Sequence, residues 1–136
     1  MKVTDLWMQE VKSVPMEVFN QSRNQCGATE SEYLQDRSTF QAALGSGREL
    51  KALIGFVPPT VLSTKAVMWM AVYADLLPIE ARWMRKILPS LAGVLGFTTL
   101  YAEVDEASER DTRFIKFLGF TPWKELHDRT IFERVF

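Results

Sequence analysis

Apolar positions recur along this chain with two periods, and the last third shows the alternation most clearly. TTLYAEV (98–104) is a short apolar run rich in residues that suit a pleated surface, and it predicts a strand. Residues 105–118 then take helical spacing. Phe114, Phe117 and Leu118 fall at i, i+3 and i+4, with Ala107 on nearly the same face. Gly119 follows the last periodic residue, where a left-handed helix end needs a residue without a Cβ. WKEL (123–126) and TIFERVF (130–136) are separated by His127, Asp128 and Arg129, and predict a closing hairpin.

Earlier segments read as follows. Val3, Leu6, Trp7 and Val11 fit a helical spacing, while residues 2–8 serve equally as a first strand. Pro15, Met16, Phe19 and Arg23 predict a helix that stops at Cys26 and Gly27. Thr29 or Ser31 caps a second helix, with Glu30 and Glu32 near its positive end. Tyr33, Leu34, Phe40 and Leu44 give that helix its apolar face, and Gly45-Ser46-Gly47 ends it. ELKALIGFV (49–57) is a strand stopped by Pro58 and Pro59. VMWMAVYA (67–74) is apolar on both faces, as a covered central strand requires. Residues 75–78 form the turn after it. Residues 79–94 predict a helix through Ile79, Trp83, Ile87 and Leu91. Pro89 inside it predicts a bend or break near residues 86–90, at a cost of about 3 kcal/mol. Gly96 ends the segment. The expected class is a mixed α/β (α+β) domain over residues 1–136, in the order strand, two helices, strands, helix, strand, helix, two strands.

Composition narrows the function. The chain has 136 residues, 47% hydrophobic and 24% charged, with a formal net charge of −1. That balance gives no electrostatic reason to expect nucleic acid or an anionic membrane as partner. One Cys rules out an intramolecular disulfide, and a single His argues against a His/Cys zinc site. The apolar run at 66–74 is too short to span a bilayer. The N-terminal stretch mixes acids with apolar residues, unlike a secretory leader. A soluble intracellular protein is the expectation.

RFIKFLGF (113–120) is similar to the closing signature of the GNAT acyltransferase superfamily, in which a helix ends in a Leu-Gly-Phe turn before a final hairpin. The match is closer to a branch found in tailed phages, such as the internal virion proteins of short-tailed podophages. It covers roughly residues 49–136. The resemblance implies a GNAT-like central sheet flanked by helices, with the coenzyme A diphosphate beside the turn after the central strand. Two departures stand against the implied chemistry. The family turn carries spaced glycines, whose bare amides approach the phosphates. Here that turn reads DLLPIEARWMRKI (75–87), without glycine, with Pro78 lacking an N–H and with Asp75 and Glu80 as like charges. The tyrosine that can protonate the leaving thiolate is replaced by Ile115, and the Asn often near the helix start by Ser108.

The departures imply a non-catalytic phage protein that acts in virion assembly or as a virion component. Its expected partners are other phage virion proteins or further copies of itself, with no nucleic acid, membrane or cofactor. It would sit in the host cytoplasm during assembly, or in the virion. The alternative is an active acetyl-CoA-dependent N-acetyltransferase. Glu103 is then the base and Tyr101 a stand-in acid, with Leu77, Ile79 and Arg82 holding the donor. A third reading is a small module that blocks a host protein. Each residue also has an ordinary explanation. Glu103 reads as an outward-facing strand carboxylate, Asp105 as a helix cap, and Tyr73 and Tyr101 as half-buried core residues. Arg82, Arg85 and Lys86 read as the solvated face of an amphipathic helix. His127 reads as a turn residue, and Cys26 as an inert thiol with only Arg23 near it.

Overall fold

The computed structural model describes residues 6–12, 36–60, 62–73 and 75–136. Seven strands form one sheet: β1 (Leu6–Glu10), β2 (Phe40–Ser46), β3 (Glu49–Val57), β4 (Lys65–Val72), β5 (Thr99–Asp105), β6 (Thr121–Glu125) and β7 (Arg129–Val135). Their spatial order is β1-β2-β3-β4-β5-β7-β6. Only β4 and β5 are parallel, and the helix α1 (Pro78–Leu95) makes the crossover that this geometry requires. A second helix, α2 (Glu109–Phe117), joins β5 to the closing hairpin.

The period-2 alternation divides the buried residues between two faces. One face carries Ala42, Leu44, Ala52, Ile54, Phe56, Ala66, Met68, Leu100, Ala102 and Val104, which pack against Met84, Leu88, Leu91 and Ala92 of α1 and Ile115 of α2. The other gathers Ala43, Leu53, Trp69 and Ala71, with Trp7 and Tyr73 against them. β4 contributes to both clusters, which is why its sequence is apolar without alternation.

Both helices close with the same device. Gly96 and Gly119 take positive φ (79° and 96°). Phe97 N–H reaches Ala92 O at 2.8 Å, and Phe120 N–H reaches Ile115 O at 3.2 Å. These are six-to-one closures, each followed by a buried phenylalanine. The signal at Gly119 is therefore met, although α2 is shorter than the spacing predicts. Asp105 to Ala107 form a turn, Ser108 is the N-cap, and Phe117 stays largely outside the core while Ile115 and Leu118 fill it.

Two expectations are corrected. Phe40 and Leu44 belong to β2, not to a helix face, because pairing with β1 and β3 on either side satisfies their backbone and buries Ala42, Ala43 and Leu44. The helix expected over 15–26 and the start of its neighbour fall outside the described residues, as does most of the expected first strand at 2–8. A break at Pro89 is the second correction, since α1 runs on from Pro78 to Leu95 as one helix. Proline leaves the carbonyl four residues earlier, Arg85, without its helical donor. Arg134 Nη1 donates to that oxygen at 3.3 Å and to Leu118 O at 2.8 Å. The defect is thus supplied from β7. Arg134→Met should cost about 1–3 kcal/mol for the carbonyls left unmet. In a Pro89→Ala background that cost should shrink, because the helix then satisfies Arg85 O itself. A double-mutant cycle in urea reads the coupling.

Candidate functional site

The β4–β5 ladder is short. It joins Lys65 to Thr99, Ala66 to Leu100 and Val67 to Tyr101, and no further backbone bond links the two strands among the described residues. Beyond Val67, β4 bonds β3 through Val72, and beyond Tyr101, β5 bonds β7 through Asp105. The strands therefore splay towards their carboxyl ends. The facing backbone edges, 68–72 and 102–105, line a wedge that can take an extended ligand as a strand would be taken.

The N-terminus of α1 stands at the mouth of this wedge, after the turn that follows β4. First-turn amides of a helix lack intrahelical partners and point out along the axis. Pro78 has none to offer. That of Leu77 donates to Glu80 Oε1 at 2.7 Å. The amides of Ile79 and Glu80 remain at the helix end, and Arg82 stands exposed one turn in. Leu77 itself is half exposed and Ile79 half buried.

Glu80 is the unusual member, being only 1% exposed. Its Oε1 lies 3.6 Å from Lys51 Nζ, and its Oε2 is buried without a hydrogen-bond partner. Lys51 is brought there by an irregularity in the sheet. Leu44 pairs with Ala52 and Gly45 with Leu50, so Lys51 is the extra residue of a bulge. Its ammonium group also contacts Asp75 O at 3.3 Å and Glu49 Oε1 at 3.4 Å. Sequence reading placed Glu80 near the phosphate position but had no signal for Lys51.

The other candidates sort by face. Glu103 lies two residues beyond the last β4–β5 pair, on the side of the sheet away from α1 and α2. Its Oε2 accepts from Arg129 Nη1 at 2.8 Å. Tyr101 shares that face, its ring 4.9 Å from Trp123 of β6. Asp105 does not cap α2. Its Oδ1 accepts from Ala107 N–H at 2.9 Å, and the cap is Ser108, which accepts from Asp111 N–H. Ile115 is a core residue, and His127 is exposed in the hairpin turn. Cys26 lies outside the described residues. Among the described residues no cluster of His, Cys, Asp or Glu could hold a metal ion, and no helix is long and apolar enough to cross a membrane.

The sequence matches no family model and no curated protein. The fold does match solved structures. The N-acetyltransferase PseH of Campylobacter jejuni is similar at 16% identity and TM-score 0.68, over 96% of this chain and 98% of that one, alone and in complex with acetyl coenzyme A. A Bacillus subtilis acetyltransferase in complex with CoA is similar at 13% identity and TM-score 0.71, over 96% and 99%. Spermidine N-acetyltransferase from Vibrio cholerae is similar at 10% identity and TM-score 0.71, over 97% and 94%. The fold is that of the GNAT acetyltransferases. The resemblance drawn from RFIKFLGF is met at the level of that fold, while its phage branch finds no support among these neighbours. The expectation of a non-catalytic virion component is overturned. The solved structures named above are acetyltransferases, and none is described as a virion component. The physical reason lies in what the missing glycines were taken to remove. The splayed strands and the helix end at their mouth form without them.

Proposed function

We propose that this chain is an N-acetyltransferase that moves an acetyl group from acetyl-CoA to an amine. The observation that carries the reading is the wedge between β4 and β5, which opens onto the N-terminus of α1. The donor's extended amide arm suits the gap between the parting strands, and its diphosphate suits the amides of Ile79 and Glu80 with Arg82 beside them. Leu77 covers the rim. The fit is tighter than a glycine turn would make it, because Glu80 occupies the Leu77 amide.

The amine enters from the face that carries Glu103 and Tyr101. Its nitrogen attacks the thioester carbonyl carbon. A C–N bond forms, the C–S bond breaks, and the thiolate leaves with the electron pair. Glu103 is the carboxylate placed to accept the amine proton, with Arg129 fixing its position. Tyr101, on the same strand face, offers the hydroxyl nearest in sequence for the thiolate.

Acetyl-CoA at about a hundred times its dissociation constant should stabilise the fold by about 2.7 kcal/mol. A rise in melting temperature and acetyl transfer to a panel of amines support the assignment. No rise at millimolar acetyl-CoA sinks it. Glu103→Gln then separates the roles. A fall in kcat with donor KM unchanged marks the base, and an unchanged kcat removes Glu103 from the chemistry while leaving the donor site intact.

A further inference from the structure

The sheet face that carries Glu103 holds a second group of side chains beside it. Tyr101, Glu133 and Thr121 stand opposite one another on β5, β7 and β6, so they share that face. The closing hairpin is irregular at this point. Pro122 pairs with Phe132 and Lys124 with Ile131, which leaves Trp123 as the extra residue of a bulge. The bulge aims the indole across β7 onto Tyr101, with the ring centroids 4.9 Å apart. Glu133 is the β7 residue that pairs with Tyr101, so the indole crosses the sheet beside it.

These side chains differ in what they have left to offer. Trp123 is 52% exposed, so its ring is open to a ligand. Glu133 is half-buried, and among the described residues its carboxylate has no ion-pair partner. Lys124 faces the same side but stays beyond ion-pair distance of it. The other carboxylates of this face are engaged. Glu103 pairs with Arg129, and Asp105 accepts from the Ala107 amide. A half-buried carboxylate without a counter-charge, next to aromatic rings, matches a cation, because the ring faces and the carboxylate attract the same charge. A purely apolar ligand laid over it would leave the carboxylate unmet.

We propose, on the acetyltransferase reading, that Tyr101, Trp123 and Glu133 hold a second positive charge of the acceptor, which makes the preferred substrates aliphatic diamines. One nitrogen is neutral when it attacks at the wedge, and its proton passes to Glu103. The other stays protonated, as an alkylammonium does at neutral pH, and rests between Glu133 and the indole. Glu103 pairs with Ile131, two residues before Glu133, so the two glutamates are diagonal neighbours about 7–8 Å apart. Several methylenes bridge that gap, and the Tyr101 ring lies under them. Arg129 keeps Glu103 from competing for the distal charge.

Cadaverine and pentylamine are the probes, since they share a carbon chain and differ by one terminal ammonium. The ratio of kcat/KM for the two amines is measured at saturating acetyl-CoA on the wild-type chain, Glu133→Gln and Trp123→Leu. Both amines are also titrated calorimetrically onto each chain without donor, at constant ionic strength. Trp123 is exposed and glutamine keeps the shape of Glu133, and melting curves confirm that both variants fold. The wild-type chain should favour cadaverine about thirtyfold, through KM. That ratio should fall about tenfold in Glu133→Gln. It should fall about threefold in Trp123→Leu, which keeps apolar bulk but loses the ring's negative face. A wild-type ratio near one, or a ratio that either variant leaves unchanged, overturns the proposal. If no amine is acetylated, the acetyltransferase reading falls by itself and the titrations decide the subsite. Cadaverine binding that Glu133→Gln weakens about tenfold then upholds it, and equal affinity in the wild-type chain and Glu133→Gln ends it.

Discussion

Glu80→Ala should lower the unfolding free energy by about 3 kcal/mol, because removing one member of a buried ion pair strands the other. Two partners are lost together. Lys51 keeps only Glu49 and the Asp75 carbonyl, and the Leu77 amide loses its acceptor at the start of α1. Glu80→Gln should cost less, since its side-chain carbonyl can still accept from Leu77. Urea denaturation at neutral pH measures both. The glutamine variant should bind acetyl-CoA about tenfold more tightly, as one like charge near a diphosphate costs on the order of 1 kcal/mol in a partly solvated mouth. Stability and donor affinity should therefore move in opposite directions. Equal stability of Glu80→Ala and the parent chain would show that the pair contributes nothing net. Weaker donor binding by Glu80→Gln would show that Glu80 helps to build the donor site instead of crowding it.

Gly55→Ala should destabilise the fold by about 3 kcal/mol, at the upper end of what overpacking usually costs. A Cβ at Gly55 would lie 2.2 Å from Trp69 Cε2 and 2.3 Å from Nε1. The indole has little freedom to retreat, being buried and donating from Nε1 to Ser38 Oγ at 2.7 Å. Gly45 has the same relation to Trp7, whose Nε1 donates to Gly47 O at 2.9 Å. Both glycines serve as floors for tryptophan rings within the sheet, and neither has a positive φ. Thermal melting should show a fall of about 10 °C for Gly55→Ala. A shift within a degree or two would mean that the ring moves freely, contrary to its packing.

The last third of the chain was the most legible. Its strand, helix and hairpin follow from local periodicity and from Gly119, whose φ is set by a rule that acts within a few residues. β2 was not legible, because FQAALGS contains helix formers and no β-branched residue. Its pairing on both sides overrides that preference. The candidate site was legible only in part. Glu103 and Arg82 could be named from their places on a strand and a helix. The Glu103–Arg129 and Glu80–Lys51 pairs could not, since each joins positions tens of residues apart.

By itself the sequence determined the glycine-closed carboxyl ends of both helices, the two-faced burial of β4 and the order of elements from residue 49 onward, all of which depend on near neighbours along the chain. Tertiary structure alone decided that α1 survives Pro89 and that a carboxylate is buried at its first turn. Each of these is an electrostatic or hydrogen-bonding debt met by a group that only folding brings within a few ångströms.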